Sequence, residues 1–187
     1  MIEEYKRILK SKLTQKRYEH CLNVSKKAVY LAKKYGADVN KAEIAGLLHD
    51  ITKQTDDNEQ LKIIDNAGMK LNPIEFNNKK LWHAVSGSAY LKTELNIKDN
   101  DILNAVLYHT TGRASMSLLE KIVFLADLIS DERDFEEVYV IRDIAERNLN
   151  EAVCVAAAFS IKLLISKKTV IAPNTLDAYN DNVKFLT

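Results

Sequence analysis

Four histidines occur among the 187 residues, and each lies in, or at the end of, a stretch with helical periodicity and apolar neighbours. Two aspartates share such surroundings: Asp50 follows His49 in GLLHDITK, and Asp127 interrupts IVFLADLIS. One histidine in such a place is usually a hydrogen-bonded core residue, but the whole set indicates shared chemistry. In chain order its members are His20, His49, Asp50, His83, His109 and Asp127.

Asp127 needs a partner, because an unpaired ionised carboxylate on a buried helix is strongly destabilising. An arginine or lysine on a neighbouring helix, water at a boundary position, or a metal ion would each serve. A metal ion would also explain His49 and Asp50, since adjacent side chains at a helix end can converge on an ion beyond it. With His20 added, two imidazoles and two carboxylates suit iron, manganese, cobalt or zinc better than copper(I) or calcium.

His83 and His109 remain, and the residues leave two roles open for them. If Asp50 bridges, they complete a second metal site about 3.5–4 Å from the first. Otherwise they contact a phosphate directly. Imidazole titrates near neutral pH, so either ring could also protonate a leaving phosphate.

Candidate phosphate anchors follow from their positions beside these residues. Arg17 precedes His20 by three residues and shares its helix face, and Lys53 follows Asp50 by three. Thr110 and Thr111 offer hydroxyls before a glycine that allows close approach to a ligand. The alternative interpretation is a solvated basic face and a polar helix end.

Helical periodicity dominates the chain, and runs of alternating β-branched residues are absent from the sequence. Asn40 with Glu43 and Ser117 with Glu120 resemble capping boxes that begin helices. We therefore predict an all-α bundle of about eight helices. The predicted helices cover about 16–35, 40–48, 57–67, 82–95, 99–109, 117–130 and 134–166, the last broken near Asn148 or Asn150, with loops at 68–73, 109–116 and 171–175.

Composition favours one cytoplasmic domain spanning residues 1–187. The formal charge of +1 gives no global attraction to DNA, RNA or an anionic membrane. The apolar run at 153–159 is broken by Lys162 and is too short to span a membrane, and the charged N-terminus lacks a signal core. Cys21 and Cys154 lie in apolar contexts and are expected to be reduced and buried.

The chain resembles the HD-domain metal-dependent phosphohydrolases, and within them the YqeK-type symmetrical diadenosine tetraphosphate hydrolases of bacteria. The sequence YHTTGR followed by MSLLEKI and LAD is specific to that branch. The matching stretches are KRYEHCLNV (16–24), AGLLHDITK (45–53), LWHAVSGSAYL (81–91), LNAVLYHTTGRASMSLLEKIVFLADLISDERDF (103–135) and the weaker IAPNTLDAYN (171–180).

The resemblance implies an all-helical fold with an iron-type centre of one or two ions on His20, His49, Asp50 and Asp127, and hydrolysis of a dinucleoside tetraphosphate to two nucleoside diphosphates. Manganese, cobalt and zinc are alternatives to iron. Residues implied in catalysis are His83, His109 and Lys53. Residues implied in nucleotide or phosphate contact are Arg17, Lys53, His83, His109, Thr110, Thr111, Arg133, Ile171, Pro173, Asn174 and Thr175.

The sequence departs from the family pattern where Asp131 and Glu132 precede Arg133, and IAPNT could equally be an ordinary connector. Two other functions stay open: another HD-type nucleotide hydrolase, either a nucleotidase or a phosphodiesterase, and a nucleotide-binding module without turnover. The expected partner is a dinucleoside polyphosphate or another nucleotide, and a homodimer is left open.

Overall fold

The computed structural model describes residues 1–186, and the regular structure within them is all helical. The all-α prediction is confirmed, with eleven α-helices in place of about eight. They are α1 (Ile2–Lys12), α2 (Gln15–Tyr35), α3 (Val39–Leu48), α4 (Asp57–Asn66), α5 (Pro73–Asn77), α6 (Trp82–Thr93), α7 (Asn100–Tyr108), α8 (Leu118–Ile129), α9 (Glu136–Ala145), α10 (Leu149–Ser166) and α11 (Pro173–Asn182), with 3₁₀ turns at Lys79–Leu81 and Val183–Phe185.

Local sequence signals account for most helix ends. Helix α2 ends at Gly36, whose φ of 75° is left-handed, and Ser117 forms the predicted capping box with Glu120 at the start of α8. The predicted box at Asn40 is wrong, because the Asp38 side chain caps α3 instead. The predicted break in 134–166 lies at Asn148, whose side chain caps α10.

Three helices were missed in the sequence. Helix α1 is short and rich in charge, so its apolar stripe is narrow. Helices α5 and α11 begin at Pro73 and Pro173, in segments that we predicted to be loops. Proline fits the first helical position because the N–H it lacks has no helical partner there.

Helix α2 lies at the centre of the core and packs against both α3 and α8. Its approach to α3 depends on Gly46, where a Cβ atom would lie 2.9 Å from the Cα of Ser25. This packing brings together His20 of α2, His49 at the end of α3 and Asp127 of α8. Cys21 and Cys154 are buried free thiols, as predicted.

Helix α10 is long and apolar enough to cross a membrane by length and composition alone. The sequence prediction considered only the uninterrupted apolar run, whereas the whole helix passes this test despite Glu151 and Lys162. In the structure one face of α10 packs against α8, α9 and α11, which accounts for part of its apolar composition.

An ion pair between Arg113 and the buried carboxylate of Glu120 holds the loop at 109–116. The Glu120 carboxylate is 1% exposed, and Arg113 donates to it from Nε at 2.9 Å and from Nη2 at 3.1 Å. The same carboxylate accepts from the backbone N–H of Ser117, and the Arg113 guanidinium lies over the ring of Tyr108. The pair therefore fastens the residues that follow His109 to the start of α8.

Replacing Arg113 with alanine is expected to reduce the free energy of unfolding by about 2–3 kcal/mol, because the Glu120 carboxylate stays buried without its cation. Urea denaturation measures the change. Arg147→Ala is the matched control: its ion pair with Asp143 is exposed, and its loss should cost less than about 1 kcal/mol. Equal losses in the two variants would contradict this account of the loop.

Candidate metal centre

The four imidazoles form a continuous buried row. His20 lies in α2 and His83 in α6, whereas His49 and His109 directly follow α3 and α7. Ring centroids of neighbours are separated by 5.1 Å for His20 and His49, 5.0 Å for His49 and His109, and 5.1 Å for His109 and His83. The structure therefore brings together every histidine of the chain.

His49 and His109 are held in the same way. The Nδ1 atom of His49 lies 2.8 Å from the carbonyl oxygen of Gly46, and that of His109 lies 2.7 Å from that of Val106. Because a carbonyl oxygen only accepts, each Nδ1 carries a hydrogen, and a neutral ring then presents an unprotonated Nε2. Both rings thus direct a lone pair into the centre of the row, as metal-binding histidines do.

The Asp50 carboxylate lies between the two halves of the row and is 2% exposed. Its Oδ2 accepts from Arg17 at 2.8 Å and lies 3.4 Å from Nε2 of His49. Its Oδ1 lies 3.3 Å from Nε2 of His83 and 3.6 Å from that of His109. Among the described residues, this buried Oδ1 has no hydrogen-bond partner. An orphaned carboxylate oxygen that faces imidazole nitrogens fits a cation between them.

Asp50 remains ionised in this place. Burial opposes its ionisation, but electrostatic interactions with the imidazole row, first with His49, outweigh burial and hold the pKa of Asp50 well below its ordinary value. Burial and the charge of His109 lower the pKa of His83 in turn. The ionised Asp50 therefore needs a positive charge nearby, but burial disfavours a proton on the His83 ring.

Asp127 completes the centre from α8, where it is 24% exposed rather than buried as the sequence indicated. Its Oδ1 lies 3.0 Å from Nε2 of His20 and 2.7 Å from Nη2 of Arg133. Partial loss of hydration opposes ionisation of Asp127 as well, but its hydrogen bond with His20, its electrostatic interaction with His49 and the charge of Arg133 keep the pKa of Asp127 well below the ordinary value. The arginine is thus one partner of Asp127, and the imidazole row is the other.

Three overlapping groups of residues could each hold a metal ion. Within each group, the candidate ligand nitrogen and oxygen atoms lie within 4.8 Å of one another. This donor set suits first-row transition metals. The groups are His20, His49 and Asp50; His49, His109 and Asp127; and Asp50, His83 and His109. Any two groups share one residue, which is His49, His109 or Asp50, so the set is compatible with either one ion or two.

Glu132 was noted in the sequence only as a departure from the family pattern. In the structure its carboxylate hydrogen-bonds Nδ1 of His20 and also accepts from Asn23 and Ser130. A carboxylate on Nδ1 fixes the ring of a metal-binding histidine and directs its Nε2 inward. The two residues are 112 positions apart, so no local signal indicates the contact.

Basic and hydroxyl groups border both sides of the row. Lys53 Nζ lies 3.0 Å from Nε2 of His83, and loss of water around the ammonium lowers the pKa of Lys53, although the charges of Asp50 and Asp127 oppose the shift. The Thr110 hydroxyl lies 3.2 Å from the same Nε2. These groups could contact an anion bound beside the imidazoles.

A cleft of about 530 Å³ opens beside Lys53, and we call it the lysine cleft. Thr110, Thr111 and Thr175 line it, together with Lys80, Lys167 and Lys168. None of the described residues that line it is acidic. Of the C-terminal candidates Thr175 therefore borders the cleft, whereas Ile171, Pro173 and Asn174 are not part of its lining.

Comparison with known proteins gives consistent matches. The family model described as HD domain matches residues 17–131. Proteins named symmetrical bis(5′-nucleosyl)-tetraphosphatase are 42% identical in Halalkalibacterium halodurans, with 92% of each chain covered, and 38% identical in Bacillus subtilis, with 95% of each covered.

A crystal structure from Clostridium acetobutylicum, described as a predicted HD superfamily hydrolase involved in NAD metabolism, superposes with a TM-score of 0.94 at 37% identity. It covers 99% of this chain and 98% of its own. The match to the family model extends over more than half of the chain and includes all six histidines and aspartates of the candidate metal centre. The chain belongs to the HD domain family.

Proposed function

We propose that this protein is a metal-dependent hydrolase that cleaves diadenosine tetraphosphate symmetrically into two molecules of ADP. The observation that carries the proposal is the buried set of nitrogen and oxygen atoms around the orphaned Oδ1 of Asp50. The names of the relatives at 42% and 38% identity support the substrate and the position of cleavage.

We assign His20, His49, Asp50 and Asp127 as metal ligands and iron as the metal, with manganese, cobalt and zinc as alternatives. His83, His109 and Asp50 would hold a second ion, and if one ion binds, the two histidines would contact phosphate instead. When bound, such an ion acidifies water and offsets negative charge on phosphoryl oxygens. Glu132 keeps the His20 ring oriented for this role.

Positive side chains position the polyphosphate. Arg17 donates a hydrogen bond to Asp50, and Arg133 donates one to Asp127. The Lys53 ammonium contacts His83, so cations flank the centre. Phosphoryl transfer depends mainly on positioning and on stabilising charge at the oxygens. These three cations therefore hold the inner phosphates and stabilise the departing diphosphate.

The proton supplied to the departing phosphate does not reside on His83. Burial lowers the pKa of His83, so this ring is neutral at neutral pH. Lys53 remains as the donor, because the lowered pKa of Lys53 brings its ammonium nearer to the working range, whereas Nε2 of a neutral His109 carries no proton. Thr110 and Thr111 line the lysine cleft, where the Thr110 hydroxyl binds the phosphate, whereas the Thr111 hydroxyl would first have to release the carbonyl of Gly112.

Incubation of metal-loaded protein with diadenosine tetraphosphate should yield ADP alone, two per substrate, by ion-exchange chromatography. Hydrolysis of the central phosphoanhydride requires this ratio. Equal amounts of AMP and ATP would contradict symmetrical cleavage. Faster turnover of mononucleotides or cyclic nucleotides would favour another HD-type hydrolase, and tight binding without products would favour a binding module.

Asp127→Ala should lower metal content and the rate of hydrolysis by about 100-fold or more, because a ligand matters at least as much as its supporting residues. Elemental analysis and an initial-rate assay measure the two quantities, and circular dichroism checks folding. Asp143→Ala, which removes an exposed carboxylate on α9, is the matched control and should change neither. Full metal occupancy in Asp127→Ala would refute its assignment as a ligand.

A further inference from the structure

A second cleft opens at the other end of the imidazole row. It measures about 540 Å³, and its lining includes Arg17, His20 and Arg133. We call it the arginine cleft. The lysine cleft meets the row near His83, whereas the arginine cleft meets it at His20. The candidate metal centre therefore lies between two clefts of nearly equal volume, and each is within the range of small-molecule sites.

The proposed substrate requires two such places. Diadenosine tetraphosphate carries a nucleoside at each end of its polyphosphate, and symmetrical cleavage acts on the bond at its centre. When that bond lies over the metal centre, equal nucleoside diphosphate halves extend in opposite directions. Each half therefore needs a binding site of its own.

Basic side chains outnumber acidic ones in the lining of the arginine cleft, which includes Lys16, Arg17 and Arg133 against Glu132 and Asp134. Both arginines donate to carboxylates of the candidate metal centre, and Glu132 hydrogen-bonds His20. Cations suit phosphates, whereas a carboxylate suits the hydroxyl or amino donors of a nucleoside.

The arginine cleft also offers neutral groups. Phe135 lines it, and the Phe135 ring stacks on Phe159, which lines the lysine cleft, with centroids 4.8 Å apart. Thr14 and Gln54 line it too, and the Gln54 side chain accepts from the backbone N–H of Thr14. The lining therefore combines cations for phosphates with an aromatic ring, an amide and a hydroxyl for a nucleoside.

We infer that the arginine cleft binds the second nucleoside diphosphate half of the substrate, opposite the half in the lysine cleft. The inference rests on the proposed function and adds where its second nucleoside lies. The two clefts differ in their linings, so chemically identical halves occupy unequal sites. Two ADP molecules per chain should therefore bind to the metal-loaded protein, with different affinities.

The test fills the arginine cleft without altering the metal centre. Gln54→Trp places a large ring in the cleft, and Gln54→Ala removes the hydrogen bond to Thr14 but leaves the cleft open. Asn58→Trp is the control, because Asn58 is exposed on α4 and lines neither cleft. Substrates are diadenosine tetraphosphate and adenosine tetraphosphate, which carries one nucleoside only.

Gln54→Trp should raise KM for diadenosine tetraphosphate about tenfold and KM for adenosine tetraphosphate less than about twofold, because only the first compound needs the second cleft. Gln54→Ala should have a much smaller effect, and Asn58→Trp should have none. Isothermal titration with ADP should show two sites in the unaltered protein and one in Gln54→Trp.

Three results would overturn the assignment of the arginine cleft to the second half of the substrate and leave the proposed hydrolysis intact. They are unchanged KM values in Gln54→Trp, equal increases for both substrates, and a single ADP site in the unaltered protein. Failure of the unaltered protein to release ADP from diadenosine tetraphosphate would overturn both proposals.

Discussion

The Asp50 carboxylate lies in the middle of the protein's polar cluster and has little contact with water. One of its oxygens accepts from Arg17, and the other faces the Nε2 atoms of His83 and His109 without a hydrogen bond among residues 1–186. A buried ionised carboxylate must be balanced by nearby positive charge. Protons on the rings can supply that charge only against the cost of burial, whereas a metal ion supplies it where the lone pairs already converge.

The helical scaffold meets this condition through simple local features. Two histidines placed one residue past a helix end return their Nδ1 hydrogens to carbonyl oxygens of the last turn. Gly46 allows α2 and α3 to approach closely, so the His20 and His49 rings come into contact. The ion pair of Arg113 with the buried Glu120 fixes the loop that follows His109. Each of these contacts fixes the position of a histidine of the centre by an interaction outside the centre.

Residue types and helical periodicity predicted much of this arrangement. The all-α class, the limits of α2 and α8 and the gathering of the four histidines could be inferred, because apolar spacing and capping residues are local signals. The grouping of His20 with Asp127 was inferred from chemistry, since a carboxylate on an apolar helix needs a partner.

Long-range contacts between charged residues could not be predicted in the same way. Glu132 and Arg113 look like ordinary surface charges in the sequence. Only the folded chain shows that Glu132 hydrogen-bonds His20 and that Arg113 hydrogen-bonds the buried Glu120. Arg133 was expected at phosphate and also pairs with Asp127, which follows from the short turn after α8. Helix α11 was missed because proline is a sign of a loop as well as of a first helical turn.

X-ray diffraction from crystals of the active, metal-loaded protein, recorded on either side of the absorption edge of the bound metal, tests the central claim most directly. The account predicts an anomalous peak bordered by Asp50 and the Nε2 atoms of the imidazole row. A fully active protein with no peak at that position, or with its metal bound elsewhere, would contradict the account.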